Sequence, residues 1–564
     1  MSPLDPNDPY ARTAQIFPQL SDAMVAMARG YGHEVELGDG ELLYARGQRG
    51  VDFYIVLSGA VEVFELEADG QGTVFVTHTR GQFTGELDQL NGREVLVHAR
   101  ASGSTRVIRI GREAFHTMLA AEPALGELVM RAFILRRVGL IHHGTGGVLV
   151  VGAAHQAQTL AVQRFLTRNG YPHRVVDVGD VGEQTQVLDG LGVTVDQLPV
   201  VILPDHTVVP QPTTHELADR LGLTEAIDPD LVYDVAVVGA GPSGLAAAVY
   251  AASEGLKTIV IEALAPGGQA GTSSRIENYL GFPTGISGGA LAGRAHIQAQ
   301  KFGARLAISR AVTAIDCAGS PYVLELDGGE HVQARTVVAA SGARYRKLDA
   351  VDYERFEGSG VHYAATAMEG ALCAGQEVIV VGGGNSAGQA AVFLSQTASM
   401  VHLVVRAAGL AATMSNYLIE RITRSPRITL HAHSEITLFE GSDHLERVSC
   451  HRRDTGEVLV HPASHVFVMI GADPNTAWLG QCVDIDARGF VATGRAVTSD
   501  IAGSPYATSR PGIFAVGDVR SGSVKRVASG VGEGSAVIQA VHEYLAGTKT
   551  NVPFEPAVDV ASTA

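Results

Sequence analysis

The stretch YDVAVVGAGPSG at 233–244 constrains this chain more than any other. Tyr233 and the run Val235–Val238 suit a strand buried in a parallel sheet. Gly239, Gly241 and Gly244 follow, and then the helical stretch LAAAVYAA. The first glycine permits a tight turn, the second lets backbone N–H groups approach a pyrophosphate, and the third lets helix and strand pack closely. The helix start offers unsatisfied N–H groups and a partial positive charge to that anion. A second strand, KTIVIEA, ends in Glu262, about 20 residues on, where an acidic side chain can bind a ribose hydroxyl. This predicts a dinucleotide site.

The chain has 564 residues, too many for one core, so three or four domains are expected. A net charge of −17 argues against nucleic-acid backbones and polybasic membrane contacts. The N-terminus has no apolar signal region, and no run of about 18 apolar residues occurs. A soluble, cytoplasmic protein is expected. Cysteines 317, 373, 450 and 482 stand far apart, so neither a disulfide framework nor a metal site is predicted.

The fold expected is multidomain. It comprises an N-terminal β-roll with helices (1–143), an α/β middle domain (144–225), a polar linker at 224–231, and a two-Rossmann unit. In that unit one dinucleotide domain (232–345 and 475–550) is interrupted by a second (346–474). Residues 1 to about 20 read as loose. From 34 to about 110, short alternating strands are punctuated by glycines at 38, 40, 47, 50 and 59. FYIVLSG and GQFTGEL at 81–87 resemble cyclic nucleotide-binding domains. The resemblance implies that the turn at Gly85 cradles a cyclic phosphate and that Glu86 holds the ribose. The family's phosphate-binding Arg falls near Val95 here, with Arg93 two residues early. Two readings stay open, a nucleotide-binding regulatory domain and a docking domain that binds none.

The middle stretch reads strand, helix, strand, then two apolar runs hinged near Pro199 and Pro204. It resembles the thioredoxin/glutaredoxin fold, in which Pro199 would correspond to the cis-proline. The family's cysteine is missing from Ala153–Gln158, where His155 reads as a polar loop residue, so a spacer or docking module is expected.

Beyond the first fingerprint come Pro266-Gly267-Gly268-Gln269, SSRIENYLGFP at 273–283, GIFAVGDV at 512–519, and SVKRVASGVGEGSAV. Together they resemble low-molecular-weight thioredoxin reductases and their flavoprotein relatives. The resemblance implies an FAD site using Gly239, Gly241, Gly244, Glu262, Gly268, Gln269, Ser274, Asn278, Asp518, Arg526 and Val527. A second fingerprint, QEVIVVGGGNSAGQ, supplies Gly382, Gly384, Asn385 and Ala387 for a nicotinamide cofactor. The strand MVHLVVR ends at Arg406, which favours the 2′-phosphate of NADPH, with NADH as the alternative. Arg421 and Arg424 either add charge there or form a solvated helix face. Connections near 342–346 and 471–476 read as paired hinges, and a homodimer is expected from the family.

The family's dithiol is missing from its usual place. Its two slots are Ala364 and Ala367, the acid slot is Met368, and Cys373 reads as structural. No catalytic residue is identified. The leading expectation is an NAD(P)H oxidoreductase that passes electrons from FAD to an external acceptor without an internal dithiol, the acceptor being a ferredoxin, flavodoxin, quinone, oxygen or small disulfide. The alternatives are a thioredoxin-disulfide reductase using partner thiols and a non-enzymatic nucleotide or redox sensor.

Overall fold

A computed structural model of the chain describes residues 13–66, 72–85, 94–143, 147–153, 156–178, 192–273, 276–357, 360–365, 367–442, 444–497 and 504–549. The alternating N-terminal pattern forms one antiparallel sheet. Its strands are β1 (His33–Leu37), β2 (Leu42–Tyr44), β3 (Phe53–Leu66), β4 (Gly72–His78), β5 (Phe83–Thr84) and β6 (His98–Ile110). The order is β1-β6-β3-β4, with β2 on β6 and β5 on β3. Period-two alternation sends Phe53, Ile55, Ile108 and Ile110 to one face. There they pack on Phe115 and Met118 of the helix Arg112–Ala121 and on Phe133 of the helix Pro123–His143. The loose start expected before residue 20 is corrected in part. Thr13–Ile16 is helical, Ile16 is fully buried, and its carbonyl accepts from Arg136 Nε at 3.0 Å.

Strands β7 (Val148–Gly152), β8 (His173–Asp177), β9 (Val200–Ile202) and β10 (Val208–Pro210) form a mixed sheet in the order β10-β9-β7-β8. β7 and β8 run parallel and are joined by the helix Ala157–Arg168. The Leu198–Pro199 peptide is cis. This sheet and the N-terminal one share a hydrophobic cluster in which Tyr44 and Val97 meet Val150, Phe165 and Leu217. The stretch at 224–231 is docked rather than a free spacer. Thr224 is buried, and Glu225 pairs with Arg305 at 3.4 Å.

The first fingerprint opens a seven-stranded sheet. Strands β11 (Val232–Val238), β12 (Thr258–Glu262), β13 (Arg305–Ile308), β14 (Val312–Asp316), β15 (Tyr322–Leu326), β16 (His331–Ala339) and β27 (Ile513–Ala515) build it. β13, β12, β11, β16 and β27 run parallel, and β15 and β14 add an antiparallel edge. β11 is nearly all apolar because the helices Pro242–Ser253 and Val527–Lys549 cover one face of it, while β15, Trp478 and Leu479 close the other.

The chain then leaves through β17 (Ala343–Tyr345) and returns through β26 (Ala472–Pro474), which pair as an antiparallel ribbon at the two connections read as hinges. Between them lies an all-parallel sheet of β18 (Val361–His362), β19 (Glu377–Val381), β20 (Met400–Val404), β21 (Ile428–His431) and β25 (His465–Val468), in the order β18-β25-β19-β20-β21. A three-stranded antiparallel sheet of β22 (Ser434–Glu440), β23 (Arg447–Arg452) and β24 (Val458–Pro462) packs beside it. Among the described residues no helix is long and apolar enough to cross a membrane.

Candidate functional site

Gly239 and Gly244 occupy places that a side chain cannot. Gly239 has φ +104, and a Cβ there would lie 2.4 Å from the Ala340 carbonyl. At Gly244 a Cβ would lie 1.8 Å from the Gly239 carbonyl, so this glycine sets how closely the helix Pro242–Ser253 meets β11. Gly241 is different: its φ is −68, and the nearest atom to an added Cβ is Gly268 Cα at 4.0 Å. Gly241 and Gly268 therefore lie close against one another at the helix start. Two glycines at this point let backbone come close to an anion at the helix start, which suits a pyrophosphate.

Glu262 ends β12 and is gathered into the same place. Its carboxylate accepts from the N–H groups of Ala240 at 2.8 Å, Leu264 at 3.0 Å and Ala265 at 3.3 Å. That leaves about one of its four acceptor positions for a ribose hydroxyl. Gln269 donates from Nε2 to the Ala343 carbonyl and so ties the glycine loop to the ribbon. Asn278 is exposed, and Ser274 lies outside the described residues.

Asp518 sits in a single turn of 3-10 helix just after β27. Burial raises its pKa, against the pull of Lys525. Glu533 braces this turn, accepting from Gly517 N at 2.6 Å and pairing with Arg520 at 2.7 Å. Arg526 is exposed, and Val527 opens the closing helix.

The second cradle repeats the first. Gly382 has φ +140, and a Cβ there would lie 2.3 Å from the Met469 carbonyl. Gly384 caps the helix Asn385–Leu394 with open space around it, and Ala387 is fully buried. Asn385 Oδ1 accepts from Ser415 N at 2.7 Å. Arg406 is exposed just beyond β20. Arg421 and Arg424 are turned to other partners, Glu277 at 3.3 Å and Glu420 at 3.5 Å. Of the N-terminal candidates Gly85 has φ +118, and its carbonyl accepts from Arg136 Nη1 at 2.7 Å. Glu86 and Arg93 lie outside the described residues.

The helix Ala157–Arg168 reaches this site, which sequence alone does not reveal. Arg168 donates to the Gly268 carbonyl at 3.0 Å, and Asn169 to the Leu264 carbonyl at 3.2 Å. Burial lowers the Arg168 pKa, and the Glu262 charge opposes that. One turn earlier, Arg164 pairs with the buried Glu369 at 3.2 Å and touches His362 Nδ1 at 3.0 Å. His362 in turn meets His465 at 2.9 Å. Burial, then these neighbours, hold the His362 pKa well below its ordinary value. The segment carrying Ala364 is thus pinned from the helix Ala157–Arg168.

The family description "Pyridine nucleotide-disulphide oxidoreductase" matches residues 233–534, more than half of the chain. The chain belongs to this family. It is an FAD-dependent NAD(P)H oxidoreductase of the thioredoxin-reductase-like kind, and both cofactors follow from that membership. A cyclic nucleotide-binding domain matches residues 34–122. The chain is 35% identical over 315 residues to a thioredoxin reductase of Mycolicibacterium smegmatis, covering 56% of this chain and 97% of the relative. It is 32% identical over 333 residues to the NADPH-dependent thioredoxin reductase 3 of Arabidopsis thaliana, covering 58% of this chain and 60% of that relative's length. The crystal structure of Lactococcus lactis thioredoxin reductase, FR conformation, aligns with TM-score 0.51 and 29% identity over 56% of this chain and 99% of its own.

One expectation for this oxidoreductase is corrected. Cys317, just after β14, and Cys482 form a disulfide with Cα atoms 6.1 Å apart across a separation of 165 residues. It lies against the first sheet's core beside Ile315, Trp478 and Leu479. Sequence spacing could not show this, because only the fold brings the two together. A chain of this family holding its own disulfide, among relatives named thioredoxin reductases, overturns the reading of direct transfer to an external acceptor with no internal dithiol. His402, His431 and His461 come together with ligating atoms within 4.8 Å of one another, although they stand on three different strands. Cys373 and Cys450 are free and buried, and burial pushes the Cys373 thiol up to about 12.

Proposed function

We propose that the chain is an NAD(P)H-dependent disulfide reductase of the thioredoxin-reductase type, with Cys317–Cys482 as the redox-active pair it carries itself. The observation that carries this reading is that disulfide, in a chain with two dinucleotide cradles. When bound, the flavin supplies the means of turning a two-electron hydride from the nicotinamide into reducing equivalents for a disulfide. The chain's residues bind and orient. Gly239, Gly241, Gly244 and Gly268 hold a pyrophosphate by backbone N–H groups, with Glu262 on the adenosine ribose. Gln269, Asn278, Asp518, Arg526 and Val527 serve the flavin side. Gly382, Gly384, Asn385 and Ala387 hold the nicotinamide cofactor, with Arg406 selecting the 2′-phosphate of NADPH.

The middle unit takes the thioredoxin-like role of a docking module, supported by its mixed four-stranded sheet flanked by helices. The boundaries 1–143, 144–225, 232–345 with 475–550, and 346–474 describe the domains, and the ribbon of β17 and β26 serves as the hinge. The N-terminal unit serves as a regulatory or docking domain, supported by its match to cyclic nucleotide-binding domains, and the working form is a homodimer.

Anaerobic titration with NADPH, then NADH, tests the reading by flavin absorbance and by counting thiols after denaturation. Two free thiols, Cys373 and Cys450, become four when Cys317–Cys482 is reduced. A reduced flavin with the count still at two would exclude this pair. Turnover of a thioredoxin disulfide surviving in Cys317→Ser would assign the exchange to partner thiols instead.

A further inference from the structure

We propose that His402, His431 and His461 form a divalent transition-metal site, of the zinc class, that joins the five-stranded parallel sheet to the small antiparallel sheet beside it. The site is separate from both dinucleotide cradles and does not depend on the disulfide reading. His402 lies on β20, His431 ends the neighbouring β21, and His461 lies on β24 of the other sheet. The rings of His402 and His461 are 4.8 Å apart, as are those of His431 and His461.

Three features separate this from a chance meeting of imidazoles. First, His402 Nδ1 and His431 Nε2 share a hydrogen bond at 3.0 Å, so a shift of only a few tenths of an ångström gives the roughly 3.3 Å that one tetrahedral ion at about 2.0–2.1 Å from each would set. Second, Glu377 Oε2 lies 3.2 Å from His402 Nε2. Glu377 thereby fixes the proton on Nε2 and leaves the Nδ1 lone pair facing the cluster, the carboxylate–histidine arrangement that orients a metal ligand. Third, His461 Nε2 is buried and has no hydrogen-bond partner. An ion gives that nitrogen a partner, while His431 turns its lone pair inward by carrying its proton on Nδ1. Three imidazoles and no thiolate select a borderline ion such as zinc, copper or nickel over magnesium or calcium. Three protein ligands leave a fourth position for water.

The test uses the untagged, FAD-loaded full chain, stripped with chelator and titrated with Zn²⁺ against a chromophoric competitor. One ion per chain is expected, with an upward shift in melting temperature. Co²⁺ in place of Zn²⁺ should give the visible bands of a four-coordinate site. His461→Phe, which keeps an aromatic ring in the gap, should abolish the bands and the thermal shift. Glu377→Gln keeps all three imidazoles and should weaken binding roughly 10- to 100-fold. No saturable binding below about 100 µM, or unchanged affinity in both variants, overturns the site.

Discussion

Gly241 and Gly244 sit three residues apart in one turn, yet they should fail in opposite ways. In Gly244→Ala the new methyl would lie 1.8 Å from the Gly239 carbonyl oxygen, against roughly 3.5 Å for an ordinary contact. The helix Pro242–Ser253 must retreat from β11 by well over an ångström. Overpacking of this kind costs about 3 kcal/mol. In a unit of this size that corresponds to a fall in melting temperature of roughly 6–12 °C. The loss should appear in the FAD-free protein as well, because the clash is protein against protein.

Gly241→Ala meets nothing closer than 4.0 Å, at a φ of −68 that alanine adopts freely. Alanine is a poorer helix cap than glycine, but it loses less freedom on folding, and these effects of about 0.5–1 kcal/mol nearly cancel. The FAD-free protein should melt within about 2 °C of the parent. Its methyl instead points toward Gly268 beside the helix start, where the pyrophosphate is proposed to sit, so FAD affinity should fall at least about tenfold, near 1.4 kcal/mol. Flavin fluorescence titration and differential scanning of the stripped proteins give both readouts. Unchanged FAD affinity in Gly241→Ala, or a melting loss equal to that of Gly244→Ala, would refute the assignment of this helix start to the pyrophosphate.

Reduction of Cys317–Cys482 releases a 165-residue loop in the unfolded chain, so dithiothreitol should lower stability by roughly 2–5 kcal/mol, read as an earlier melting transition that is unchanged by the reductant in Cys317→Ser. The thiols of Cys373 and Cys450 are pushed up to about 12 and about 11 by burial, so native protein at pH 8 should resist iodoacetamide at both; rapid stoichiometric labelling by mass spectrometry would contradict their packing. Burial, then the Arg136 charge, holds His78 well below the ordinary imidazole value. The unfolded imidazole takes its proton near pH 6.5, so the stability it contributes is full above about pH 6.5 and is lost as acid is added. His78→Gln should flatten the melting temperature of the N-terminal unit between about pH 6.5 and 5. Arg164→Met removes the ion pair to Glu369 and the contact with His362, and should expose the segment around Ala364 to limited proteolysis at least several-fold faster.

Much of this architecture was readable from local chemistry. A run such as Val235–Val238 followed by Gly239, Gly241 and Gly244 admits one arrangement, because strand, turn and helix start each leave a mark within twelve residues. The same holds for Gly382, Gly384 and Ala387. Contacts made by distant residues left no such mark. Cys317 and Cys482 are brought together by β14 and the turn at Trp478, and neither neighbourhood announces the other. His402, His431 and His461 lie on separate strands, so no ligand spacing appears. Arg164 and Arg168 read as the polar side of an ordinary surface helix until the fold turns that side onto Glu369 and Gly268. The stretch at 224–231 looks like a linker by composition, yet Glu225 has a fixed partner in Arg305.

The ribbon of β17 and β26 carries a topological consequence. Ala343 pairs with Pro474 and Tyr345 with Ala472, so both strands that cross into the inserted segment stand side by side. Opposed residues in such a pair are about 4.5–5.5 Å apart, a gap that a two-residue turn bridges. Everything from 346 to 471 is thus a detour that starts and ends at one point. Excising it and joining Tyr345 to Ala472 through Asn-Gly would leave the parallel order of β13, β12, β11, β16 and β27 untouched. A segment attached in this manner can be gained, lost or exchanged in a single step without redrawing the sheet that receives it.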